Sequence, residues 1–105
     1  DIEVISYPFN ISPFNVMDLL KEYDIAVLCP DNLPTRYLVN DACRILNKPF
    51  VHSAVYRFEG EVMTVVNTPC YRCVFPEVPE KLSDNAIIGF TAGFFGCLQA
   101  SEAVK

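Results

Sequence analysis

Residues 25–46 read Ile25-Ala26-Val27-Leu28-Cys29-Pro30-Asp31-Asn32-Leu33-Pro34-Thr35-Arg36-Tyr37-Leu38-Val39-Asn40-Asp41-Ala42-Cys43-Arg44-Ile45-Leu46, and this stretch decides the fold. Its first five residues form an unbroken apolar run, the pattern of a strand covered on both faces in a parallel sheet. Pro30-Asp31-Asn32 breaks the run. A helix is expected from about Leu33 to Leu46, with Leu38, Ala42, Ile45 and Leu46 as its inward stripe, and Asn47-Lys48-Pro49 ends it. In open α/β sheets, ligands bind beyond the carboxyl ends of the strands, which is where Asp31 and Asn32 fall. Asp31 suits two roles there: a helix cap, or a carboxylate for a metal ion or a magnesium–adenosine phosphate unit.

Outward from this unit the chain alternates. Residues 3–7 have the pattern of a short strand. Ser12-Pro13 has the form of an N-cap followed by Pro at the first helical position, and Val16, Leu19, Leu20 and Tyr23 follow on one helical face. Residues 50–56 and 61–66 are expected to be strands around a turn at Phe58-Glu59-Gly60. So short a connection makes the pair antiparallel. Proline-rich coil from Asn67 to Pro79 surrounds Cys70-Tyr71-Arg72-Cys73. Ala86–Val104 is apolar on nearly every side. Its uninterrupted part is too short for a membrane span, so a buried core helix is expected, with Gly89, Gly93 and Gly96 giving a smooth packing face. The order β-α-β-α-β-β-coil-α predicts an α/β fold: the C-terminal half of a Rossmann-like doubly wound sheet, mostly parallel with an added antiparallel strand.

Composition narrows the function. Of the 105 residues 51% are hydrophobic, which excludes a disordered chain. The formal charge of −5 argues against a nucleic-acid partner. The chain starts at Asp1 and stops at Lys105 inside a helical stretch, so a segment of a longer protein is expected.

Five cysteines, Cys29, Cys43, Cys70, Cys73 and Cys97, are too few and odd in number for a disulfide scaffold. They suit a reducing, cytoplasmic setting in which most serve as small core hydrophobes. The C-x-x-C pair suits half of a zinc site completed elsewhere, a redox dithiol, or two free thiols. His52 has no evident acid or nucleophile beside it in sequence and reads as a core or sheet histidine; Arg36 and Arg57 suit anion binding, with solvated or structural ion-pair roles as the default. The glycines, Gly60, Gly89, Gly93 and Gly96, make no phosphate-cradling motif.

The strings carry more than the periods. The run Tyr23 to Cys43 resembles the "YD-apolar-C-x-DN-x-x-TR-Y-L-x-NDAC" segment of the ThiF/MoeB/HesA family, relatives of the ubiquitin-activating enzymes. Lys48-Pro49, Arg57 to Val62, Pro69 to Glu77 and Gly96 to Lys105 are similar to its later landmarks, in order. The resemblance implies an adenylyltransferase that uses ATP and magnesium to activate the C-terminal glycine of a ubiquitin-like sulfur-carrier protein, in molybdopterin, thiamine or thiolation pathways. It implies Asp31 as the magnesium and phosphate acid, Asn32 as a nucleotide contact, and Cys70 and Cys73 as the first pair of a four-cysteine zinc site.

The family's glycine-rich ATP loop would precede Asp1 and its second C-x-x-C would follow Lys105. Residues 1–105 therefore match the second half of the domain only, and the chain alone is expected to be inactive. Glu80 to Ala86 carries no cysteine where many members have one, which implies no covalent sulfur intermediate at that position. The family suggests a homodimer, or a companion chain that supplies the ATP loop. The alternative is a non-catalytic, ubiquitin-activating-like half-domain that binds such a partner through an open sheet edge.

Overall fold

The computed structural model describes residues 2–30, 32–56, 58–67, 69–76 and 87–105. Its elements are α1 (Val16–Leu20), β1 (Ala26–Leu28), α2 (Leu33–Leu46), β2 (Phe50–Tyr56), β3 (Glu59–Val65), α3 (Tyr71–Val74) and α4 (Gly89–Val104). The sheet order is β1-β2-β3. β1 runs parallel to β2, with Ala26 opposite Phe50 and Leu28 opposite His52. β3 returns antiparallel, from Tyr56 opposite Glu59 to Phe50 opposite Val65. The α/β, Rossmann-like reading holds: one parallel pair joined through a helix, plus an antiparallel strand.

Side-chain alternation gives the sheet two faces. Leu28, Phe50 and Val65 meet Val16 of α1 and Val39, Ala42 and Cys43 of α2 in one apolar cluster. The opposite face meets α4, where the Phe95 ring lies against Gly60 and the Thr64 hydroxyl donates to Glu102 at 2.9 Å. A Cβ at position 60 would run into that ring, which is why the strand carries glycine there.

α2 has the expected bounds. Asn32 caps its start, Pro34 sits in its first turn, and Asn47 ends it in the left-handed region at φ 54°. The Asn47 N–H donates to Arg44 O and the Lys48 N–H to Cys43 O, so these two carbonyls of the last turn are satisfied.

Several expectations are corrected. Residues 3–7 form no strand; they are exposed, and among the described residues no neighbouring strand offers them a ladder. Ser12 is not the N-cap: its Oγ accepts from the Phe14 N–H and Asn15 Oδ1 accepts from the Ser12 N–H within a turn, and the regular helix begins only at Val16, after Asn15. β1 is shorter than residues 25–29, and Val27 is 47% exposed rather than covered. Ile45 is 70% exposed, because the buried face of α2 is Arg36, Tyr37, Val39, Asn40, Ala42 and Cys43. Glu59 and Gly60 belong to β3, not to the turn. The coil around the C-x-x-C contains the helical turn α3.

α4 is not a buried core helix among the described residues. Only Thr91 and Gln99 are buried on it, Phe90 and Phe94 are 71% and 62% exposed, and nothing lies within 4 Å of a Cβ placed at Gly89, Gly93 or Gly96. Cys29 and Cys97 are exposed, so of the thiols in apolar runs only Cys43 is a core residue. No helix among the described residues is long and apolar enough to cross a membrane.

Candidate functional site: the β1 exit and the thiol turn

Chain leaving β1 passes Cys29 and Pro30 and enters α2 at Asn32, whose Oδ1 accepts from the Thr35 N–H at 2.9 Å. A cleft of about 500 Å³ opens here, lined by Phe9, Asn10, Ile11, Pro30, Asn32 and Thr35. It lies at the carboxyl end of a parallel strand and at a helix N-terminus, where N–H groups favour anions. Asp31, the expected magnesium ligand, lies outside the described residues, as do Arg57 and the Glu80 to Ala86 stretch.

Arg36 fixes this corner. It is buried, and its Nη2 donates to Pro30 O at 2.8 Å and its Nη1 to Ser53 O at 3.0 Å. Nη1 also lies 3.1 Å from His52 Nδ1. A guanidinium only donates, so Nδ1 is an acceptor and the ring carries its hydrogen on Nε2. Nε2 then donates to Glu61 Oε1 at 2.7 Å. His52 is the expected sheet histidine, but its acid partner comes from the neighbouring strand, invisible to sequence spacing.

Gln99 of α4 closes the other side. Its Nε2 donates to Leu28 O at 2.7 Å and Val51 O at 3.0 Å, and its Oε1 accepts from the Cys29 thiol at 3.6 Å. A second cleft, about 470 Å³, runs under α4 past Cys29, Arg36, Tyr56 and Phe95.

The thiol turn sits on the middle of α2. Cys70 is buried and Cys73 exposed, with sulfurs 3.6 Å apart. Burial pushes the Cys70 thiol up, but hydrogen bonds from Cys73, the Arg72 backbone and the Asn40 amide outweigh it and leave the thiol below its usual value. Cys43 differs: burial alone pushes it up to about 11, so it stays protonated.

A tetrahedral zinc with Zn–S bonds of about 2.3 Å puts two sulfurs roughly 3.8 Å apart, so the pair fits such a site. Among the described residues no group of three or more His, Cys, Asp or Glu side chains stands together. The turn therefore brings together two thiols, and among the described residues no third or fourth side chain of a ligating type joins them.

The ThiF family model matches residues 1–105. The chain belongs to the ThiF family. It is 43% identical to the adenylyltransferase and sulfurtransferase MOCS3-1 of Zea mays, over 99% of this chain and 24% of that protein. The adenylyltransferase and sulfurtransferase MOCS3 of Sus scrofa is 42% identical, over 99% of this chain and 24% of its own length. The SAMP-activating enzyme E1 of Haloferax volcanii is 41% identical, over 100% of this chain and 41% of its own length. The ThiF segment thus spans less than half the length of these relatives.

Sequence reading missed Asn40, Glu61 and Gln99 as members of this region. The available signal was a polar residue within an otherwise apolar stripe, as Asn40 is between Val39 and Ala42. Such a residue must find partners when buried.

Proposed function

We propose that this chain is part of an ATP-dependent adenylyltransferase that activates the C-terminal glycine of a ubiquitin-like sulfur-carrier protein. The observation that carries the reading is the match to the ThiF family over residues 1–105, with relatives named adenylyltransferase and sulfurtransferase and one named a SAMP-activating enzyme E1. The cleft at the β1 exit supports it, because that is where this architecture receives a nucleotide.

In the proposed reaction the carrier's C-terminal carboxylate attacks the α-phosphorus of ATP, and pyrophosphate leaves. Magnesium, when bound, offsets charge on the phosphates. Asp31 would hold that ion and Asn32 would contact the nucleotide. Arg36 fixes the Pro30 carbonyl at the β1 exit. The N-terminus of α2 adds a field favourable to phosphate.

Cys70 and Cys73 would hold zinc together with a second thiol pair, which stabilises the turn rather than the reacting atoms. A homodimer, or a companion chain that supplies the ATP loop, is the proposed assembly. The five thiols suit a cytoplasmic setting.

Pyrophosphate exchange from ATP, dependent on a carrier protein, is the test. The full-length protein should exchange, Asp31→Ala should abolish exchange, and the 105-residue chain alone should be silent. Carrier-dependent exchange that survives Asp31→Ala would overturn the site assignment. A full-length protein that binds a carrier without exchanging would favour the non-catalytic half-domain.

A further inference from the structure

Asn40 is 1% exposed, in the middle of α2. An amide buried in a helix interior destabilises unless its donors and acceptor are used. Its Oδ1 accepts from the Tyr71 N–H at 2.9 Å, and its Nδ2 donates to Asp41 Oδ1 at 3.2 Å and to Cys70 Sγ at 3.8 Å. One side chain therefore grips both the backbone and the sulfur at the start of the thiol turn.

The neighbours grip the same turn. Arg72 places a two-pronged bond on Asp41, at 2.7 and 2.8 Å, and its guanidinium lies 4.7 Å from the centre of the Tyr37 ring. The Tyr37 hydroxyl donates to Phe75 O at 2.8 Å. Each of these clamps starts on α2 and ends between Cys70 and Phe75. Cys70 already belongs to the apolar cluster, so packing alone does not require a donor aimed at its sulfur.

We infer that Asn40 is a positioning residue for a thiolate–metal site: its amide holds Cys70 Sγ 3.6 Å from Cys73 Sγ, close to the edge of a tetrahedron around a thiophilic divalent ion. This rests on the reading of Cys70 and Cys73 as metal ligands. On ligation each thiol loses its proton to solvent and forms one metal–sulfur bond, without oxidation. Partners that orient a ligand are worth roughly 10–100-fold in metal affinity.

The test uses metal-stripped full-length protein titrated with Co²⁺, read by the thiolate-to-cobalt charge-transfer absorbance. Cys70→Ser should diminish or remove the band. Asn40→Asp keeps an acceptor for the Tyr71 N–H but loses the donor to sulfur; with an unchanged circular dichroism spectrum, it should bind Co²⁺ roughly 10–100-fold more weakly. A second measurement needs no variant: with NMR-active cadmium bound, the Asn40 side-chain N–H should show a coupling to the metal through the sulfur. If the wild type gives no band, or Cys70→Ser leaves it intact, the metal reading fails and this inference with it. If the wild type binds but Asn40→Asp matches it, or the cadmium coupling is absent, the positioning role fails and the metal reading stands.

Discussion

The two faces of the sheet are finished by different means. On the α2 face, polar groups are chained from the partly exposed Glu61 inward: Glu61 to His52, His52 to Arg36, Arg36 to the carbonyls of Pro30 and Ser53, with Asn40 bonded to the thiol turn. The α4 face has Gln99 as its deepest polar anchor, a ring laid over Gly60, and exposed Phe90 and Phe94 on its far side. A chained face fixes geometry, because moving one member strands the next. A face held mainly by area tolerates change and leaves apolar surface for a neighbour. Both candidate sites rest on α2, the face that fixes geometry.

Arg36→Ala is the strongest way to break this contrast. It leaves His52 Nδ1 and two carbonyls without their donor, and we expect a loss of about 3–5 kcal/mol, read by urea unfolding at constant m-value. A loss below about 1 kcal/mol would mean that water replaces the guanidinium and that the corner is not rigid.

Next comes Gln99→Leu, which removes the donor to Leu28 O and Val51 O. A loss of about 1–3 kcal/mol is expected. Were it to match the Arg36 variant, the faces would be equally dependent on buried polar bonds and the contrast would vanish.

Gly60→Ala sharpens the α4 side. The added methyl meets the Phe95 ring, so a loss of about 1–2 kcal/mol is expected, partly recovered in a Gly60→Ala, Phe95→Leu double variant. Failure of the double variant to recover would place the strain elsewhere.

The smallest effect is a pH dependence on the α2 side. Hydrogen bonding from Arg72 holds the Asp41 carboxyl below its usual value. Its contribution is therefore fully present above the unfolded value of about 3.9 and is lost as pH falls through the lower folded value. The pair is half exposed, so Arg72→Ala should cost under about 1 kcal/mol at neutral pH. Paired melts should converge as pH drops below about 3.9. A gap that persists undiminished in acid would assign the cost to lost packing on Tyr37.

Much of the fold was legible because its signals are local. The apolar run before Pro30, the helix start after Asn32, the stop at Asn47 and the short link between β2 and β3 each act within a few residues, although the cap expected at Asp31 falls to Asn32. The resemblance carried the family. The α2 stripe was misjudged because apolar count favoured Ile45, whereas Arg36 and Asn40 are buried by partners brought from far along the chain. The strand expected at residues 3–7 failed for a related reason: a strand needs an edge to pair with, and pattern alone does not supply one.

By itself, then, the sequence determined the β1–α2 unit, the hairpin and the spacing of Cys70 and Cys73, since periodicity, caps and turns are properties of neighbouring residues. Only the tertiary structure decided that His52 is an acceptor from Arg36 and a donor to Glu61, that Gln99 reaches the strand carbonyls, and that Asn40 holds a thiol. Those contacts join residues 9 to 71 positions apart. Buried polar groups take whichever partner the packed chain brings within reach, and that partner is not written beside them.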